Sequence, residues 1–250
     1  MARQGLIMLD SPKPARPRLS PELVALCERS EPTQGPEPGV VYFTDEDYRD
    51  AATELLVEAG DEPFWVFAYG SLLWRPAFDV EATHLAHVTG WRRDFCMEIT
   101  RWRGSPDQPG LMMGLRQGHG ACSGMVIQIA HHDRHAQLMR LLKREADTAE
   151  DMLSLRWIDA DTDRGKVRAL ASWAEPTKSR MFVEKPIEEQ AYMLARACGS
   201  AGSGAAYLHR TVTSLAEIGL EDTYLTALDE LVSMEIARRT GFDISSLSGE

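Results

Sequence analysis

The sequence predicts an α+β protein, a small and largely antiparallel sheet or barrel with packed helices. Three observations predict it. Short β-like runs crowd between residues 64 and 129, divided by glycine- and proline-rich stretches. Two further strand-like runs flank the polar stretch "DADTDRGK". From Ile187 onward the chain is mostly helical by period. Strands first and helices last is the order of α+β architectures.

Seven of the thirteen prolines fall between Pro12 and Pro38. Residues 1–60 therefore read as a mobile or loosely packed leader, with one short helical candidate over Pro21 to Glu28. A second helix is expected from about Thr44 to Ala59. Thr44 is a suitable N-cap, acidic residues fill the first turn and Gly60 suits the C′ position. The main unit is expected over 61–240, with 241–250 as a tail. Strands are expected over 64–68, 83–88, 91–102, 111–115 and 124–129, with "RGSPDQPG" and "RQGHGACSG" as separators. A helix over about 133–145 follows, then strands over 155–158 and 167–173. Helices over 187–197, 205–218 and 222–239 complete the chain. There is no internal repeat.

The 250 residues are 44% hydrophobic with a formal net charge of −11. That balance argues against non-specific binding to nucleic acid or an anionic membrane, but leaves the charge of a local pocket open. The four cysteines, Cys27, Cys96, Cys122 and Cys198, are scattered without a C-x-x-C pair. Free thiols in a reducing compartment are expected, not a disulfide framework or zinc cluster. No apolar segment is long enough to span a membrane, and the start lacks the pattern of a secretory signal. A soluble, cytoplasmic protein is expected; the oligomeric state is not legible.

Two places carry candidate chemistry. In "WVFAYGSLLW" the apolar run breaks at Tyr69-Gly70-Ser71. Gly70 permits a positive φ and a close approach to the backbone. A strand ending here frees the N–H groups of Gly70, Ser71 and Leu72 to form an anion-binding concavity, with the Ser71 hydroxyl beside them. An ordinary turn between buried aromatics fits the same letters. The second place is the helix at 133–145, where Leu138, Leu141, Leu142 and Glu145 share one stripe. Burial and the helix C-terminus both raise the pKa of a carboxylate placed there, as a general base and acid working near neutrality requires. Helix fraying, or pairing with Arg144 or Arg93, is the alternative. His131, His132 and His135 lack the H-E-x-x-H pattern and fit a solvated helix start. "DADTDRG" lacks the glycine and glutamate of a calcium loop. No dinucleotide or P-loop fingerprint is present. The arginines of "RRDFCMEITRWRG" suit either local carboxylate recognition or a solvated strand face.

Taken in order, "VFAYGSLLWRPAFD", "GWRRDFC", "RGSPDQPG", "LLKREA" and the late "AAYLHRTVTSLAEIGLED" resemble the ChaC family of γ-glutamylcyclotransferases. The resemblance runs from about Phe64 to Leu231. It implies a small antiparallel barrel-like sheet with packed helices. It also implies cleavage of γ-glutamyl compounds, chiefly glutathione, to 5-oxoproline and, from glutathione, cysteinylglycine, with no cofactor. The substrate's own α-amine attacks its γ-carbonyl, so one carboxylate can remove a proton from the amine and return it to the leaving nitrogen. The resemblance gives this role to Glu145. It gives the γ-glutamyl cradle to Tyr69, Gly70, Ser71 and Leu72, and a pocket-lining place to Tyr207; Arg92 and Arg103 are weaker pocket candidates. The sequence departs from the family after the catalytic glutamate. Ala146 stands where Met is common, and no tyrosine or proline precedes Trp157. That puts substrate preference in question more than chemistry. The competing readings are a cyclotransferase for other γ-glutamyl amines or dipeptides, a non-catalytic γ-glutamyl-binding module, and a hydrolase with Ser71 as nucleophile, which has no evident histidine partner.

Overall fold

The structure is a computed structural model and describes residues 18–177 and 179–244. Pro12, Pro14, Pro17 and most of the expected tail lie outside the described residues. Five strands form a closed barrel: β1 (Trp65–Ala68), β2 (Val80–Ile99), β3 (Gly110–Ile129), β4 (Leu155–Thr162) and β5 (Gly165–Ser172), in the order β1-β3-β2-β4-β5. All neighbouring pairs are antiparallel except β1 and β5, which close the barrel in parallel through Trp65↔Ala169 and Val66↔Leu170.

β1 is apolar throughout because both of its faces are buried. Phe67 and, just beyond it, Tyr69 face a core shared with the C-terminal helices, while Val66 and Ala68 face the opposite side. The helices are α1 (Pro21–Ala25), α2 (Asp45–Ala59), α3 (Arg134–Glu145), α4 (Ala149–Met152), α5 (Ile187–Leu194), α6 (Gly204–Glu217) and α7 (Thr223–Thr240). A two-stranded hairpin, β6 (Cys198–Gly199) with β7 (Gly202–Ser203), leads into α6. α5, α6 and α7 cover one side of the barrel, and α2 and α3 the other. All four cysteines are free and buried. No described helix is long and apolar enough to cross a membrane.

The sheet differs from expectation chiefly in the length of its strands. The four strands expected between residues 83 and 129 are two strands of 20 residues each, paired along their length. Of the stretches read as separators, "RGSPDQPG" does connect β2 to β3, whereas "RQGHGACSG" lies inside β3. Gly90 takes a φ of 83° where the register shifts between Thr89 and Trp91, so it makes a bulge, not a turn. A Cβ on Gly124 would lie 2.3 Å from the Ala68 carbonyl oxygen, so that glycine is a close approach of β3 to β1.

The described part of the leader is packed. Leu19, Leu23 and Cys27 are buried in the core beneath the C-terminal helices. The Leu19 N–H donates to Asp229 at 3.1 Å and the Cys27 thiol to the Ala195 carbonyl at 3.2 Å. On the other side Tyr48 and Ala52 of α2 are buried against α3. Proline density here reflects an extended path over the surface, and the scattered apolar residues still reach the core. Leu23→Ala is accordingly expected to lower stability by about 2–5 kcal/mol, read as a drop in the midpoint of a thermal melt. A loose leader would leave that midpoint unchanged.

Candidate active site

The stop after β1 has a physical cause. Tyr69 turns its hydroxyl into the barrel end, where it donates to the Ser172 carbonyl at 2.7 Å and accepts the Leu115 N–H at 3.1 Å. One phenol therefore ties the end of β1 to β3 and β5, and burial pushes its pKa well up. The chain then winds into a 3₁₀ turn, Ser71–Leu73, closed by Leu73 N–H to the Gly70 carbonyl at 3.0 Å. Among the described residues, the N–H groups of Gly70, Ser71 and Leu72 donate to no backbone carbonyl. Gly70 does not use the positive φ that glycine permits; its φ is −139°. The requirement for glycine is spatial, since a Cβ would sit 3.0 Å from the Tyr207 hydroxyl and 3.5 Å from the Met113 sulfur.

α3 delivers Glu145 to this turn. Its start is held by Gln137, whose amide donates to the His132 carbonyl at 2.7 Å and accepts the Asp79 N–H at 2.7 Å. Leu138, Leu141 and Leu142 then bury the inner stripe, and Glu145 ends it with its side chain 19% exposed. A small void of about 10 Å³, walled largely by Val66, Leu72, Leu141, Leu155 and Leu170, lies behind the carboxylate. Burial raises the Glu145 pKa, and Arg144, with Nε 3.5 Å from Oε1, opposes the rise. Arg144 also donates from Nη2 to the Ser71 hydroxyl at 2.7 Å and from Nη1 to the Arg75 carbonyl. It is thus the strut between α3 and the turn.

Tyr207, in the first turns of α6, is the opposite wall. Its ring meets Phe95 edge-on at 5.6 Å and Trp74 at 6.2 Å. The Arg103 guanidinium lies 5.0 Å above it. Burial raises the Tyr207 pKa, with Arg103 opposing. Arg103 donates to the Ser203 carbonyl at 3.1 Å, and its pKa is lowered chiefly by burial.

Tyr69, Gly70, Ser71, Leu72, Arg103, Glu145 and Tyr207 all line one cavity of about 860 Å³. Arg92 does not. It is exposed on β2, with its guanidinium near Gly118 of β3, because the strand's alternation turns it out between buried Trp91 and Arg93. Sequence reasoning did not place Trp74 or the leader residues Glu37 and Tyr42 on the wall. It named Arg144 only as a partner for Glu145. Seven basic and five acidic residues line the cavity, so this acidic protein presents a basic pocket. None of the lining residues is a histidine, and the Ser71 hydroxyl accepts from Arg144, so no serine–histidine pair forms at the turn. The histidines at the start of α3 have separate partners: His132 bonds Asp79 and His135 bonds Thr53. No group of three or more His, Cys, Asp or Glu side chains among the described residues could hold a metal.

The comparisons agree with one another. A family model described as ChaC-like protein matches residues 64–235. A glutathione-specific gamma-glutamylcyclotransferase of Escherichia coli (strain K12) is 29% identical over 200 residues, covering 80% of this chain and 84% of that one. The glutathione-specific gamma-glutamylcyclotransferase 1 of Homo sapiens is 29% identical over 175 residues, covering 68% and 79%. A crystal structure of a yeast gamma-glutamyl cyclotransferase specific to glutathione superimposes with a TM-score of 0.62 at 20% identity. It covers 70% of this chain and 97% of that one, and establishes the shared fold. With a barrel of this form, and a family match over more than half its length, the chain belongs to the ChaC-like family.

Proposed function

We propose that this protein is a γ-glutamylcyclotransferase that converts glutathione to 5-oxoproline and cysteinylglycine, with Glu145 as the proton-transferring group. One observation carries the reading: a half-buried carboxylate with a raised pKa stands beside a glycine turn whose N–H groups pair with no backbone carbonyl, in one basic cavity. The chemistry needs those parts. The substrate's α-amine loses a proton to Glu145 and attacks the γ-carbonyl carbon. The C–N bond to cysteine breaks, and Glu145 returns the proton to the departing nitrogen. Every atom of glutathione ends in one of the two products, so no water is consumed.

The other residues take binding roles in this proposal. The N–H groups of Gly70, Ser71 and Leu72 meet the oxygen on which negative charge develops. Tyr69 fixes the turn through its two backbone partners instead of donating to substrate. Arg103 uses one donor on Ser203 and keeps others for the α-carboxylate of the γ-glutamyl unit. Tyr207 walls the folded-back conformation in which amine meets carbonyl, a proximity effect that can be large. The catalytic unit is the barrel with its helices, 61–240, and the substrate is a small molecule. The test is product analysis. Purified protein incubated with glutathione is expected to release 5-oxoproline and cysteinylglycine in equal amounts. Release of free glutamate, or binding without products, would refute the reading.

A further inference from the structure

The cavity extends past the glycine turn to a second end, where its wall includes Glu37 and Tyr42 of the leader. That end is organised around Arg101. Its Nη1 donates to the Tyr42 hydroxyl at 2.6 Å, its Nη2 reaches the Gln34 carbonyl at 3.4 Å, and its guanidinium lies over the Tyr42 and Trp102 rings at 5.8 and 5.3 Å. Its anionic partner is Glu37, at 4.0 Å, the outer limit of an ion pair. Glu37 is shared with Arg180, at 3.3 Å, so two guanidinium groups converge on one carboxylate that is 39% exposed. Asp147 is the other acidic group near Arg101. Burial and Asp151 push it towards its neutral form, with Arg101 opposing.

The backbone separates the two ends. Trp102 has a φ of 55°, a left-handed conformation that a bulky residue rarely adopts. It is clamped there by the β6–β7 hairpin: the Ala201 N–H donates to the Trp102 carbonyl at 2.7 Å, and a Cβ on Gly199 would sit 2.3 Å from that same oxygen. The turn gives residues two apart different neighbourhoods. Arg103 lies against Tyr207 and the glycine turn's end, while Arg101 lies against the leader.

We propose that Arg101, with Arg180, forms a subsite for the free C-terminal carboxylate of the leaving peptide, and that Glu37 occupies it as an exchangeable counter-ion when substrate is absent. The inference rests on the cyclotransferase reading. A γ-glutamyl peptide seated with its reacting carbonyl at Glu145 must direct its leaving end along the cavity. An aromatic-backed Arg101 that holds the half-exposed Glu37 only at 4.0 Å, with Arg180 at 3.3 Å from the same carboxylate, can exchange that partner for another carboxylate. The leader thus contributes to substrate choice, although the family match begins only at residue 64.

The experiment compares glutathione with its C-terminal glycinamide as substrates for the full chain, by 5-oxoproline release. Wild type is expected to favour the free acid by about 10- to 100-fold in kcat/KM, the range of a hydrogen-bonded charge. Arg101→Met is expected to bring that ratio near one through the KM for glutathione, leaving the amide within a few-fold of wild type. Glu37→Gln, which removes the competing carboxylate and leaves Arg101 packed on its rings, is expected to lower the KM for glutathione several-fold and not that for the amide. Equal turnover of both substrates by wild type, an equal loss on both in Arg101→Met, or an unchanged KM in Glu37→Gln would overturn the inference. If no 5-oxoproline forms from either substrate, the cyclotransferase reading falls and takes this inference with it; 5-oxoproline without discrimination removes the inference alone.

Discussion

Glu145→Gln is expected to lower kcat on glutathione by about a thousandfold or more, because one group carries the proton in both directions and general acid–base catalysis contributes roughly 10²–10⁴. The amide keeps the size and the helix packing, so the melt should hold. The sign of the stability effect follows from the pKa shift. A carboxyl whose folded pKa is raised by burial destabilises the fold at pH above its unfolded pKa, where it must be charged. The glutamine variant sheds that penalty at neutral pH and should melt no lower than wild type. The pH profile gives a second readout. Catalysis needs the ionised form, so kcat/KM falls as pH falls through the Glu145 pKa. Burial places that fall above the ordinary glutamate value of about 4.3, and any residual activity of the variant should lack it. Normal 5-oxoproline release by a folded Glu145→Gln protein would remove Glu145 from the mechanism.

Gly70→Ala is expected to cost about a hundredfold in kcat/KM, as misplacements near 1 Å can. The added methyl would stand 3.0 Å from the Tyr207 hydroxyl. That hydroxyl cannot swing clear, because its ring is enclosed by Phe95, Trp74 and the Arg103 guanidinium. The turn must move instead, and with it the N–H groups proposed to meet the developing charge. Circular dichroism beside a steady-state assay separates a local shift of the turn from a loss of fold. Activity within a few-fold of wild type would mean that the turn does not set the reacting geometry.

What the sequence revealed follows from how far each feature reaches along the chain. β1 and α3 were legible because periodicity and burial act over a few residues; the same stripe that buried Leu138, Leu141 and Leu142 pointed to Glu145. β2 and β3 were read as fragments because Gly90 and Gly124 look like punctuation. Their reasons are a bulge and the oxygen of Ala68, neither visible without the partner strand. Arg92 and Arg103 were indistinguishable by type; strand alternation turns Arg92 outward on β2, while Arg103 lies in the loop after β2, past the left-handed Trp102, and lines the cavity. The Tyr42–Arg101 contact joins residues 59 apart, so nothing local marked Tyr42 as a cavity wall.

The parallel seam between β1 and β5 bears on how the enzyme comes to exist. The β2–β3 ribbon can form from neighbouring chain, but Trp65 and Ala169 are about a hundred residues apart. Such pairing is slow, because the entropy of a long loop must be surrendered before the contact rewards it. The Tyr69 phenol bridges Leu115 and Ser172, so it has both partners only once that seam is shut. The turn it steadies is thus among the last parts to acquire its shape. A nascent or half-folded chain therefore lacks the turn that the proposed chemistry needs until the barrel is complete.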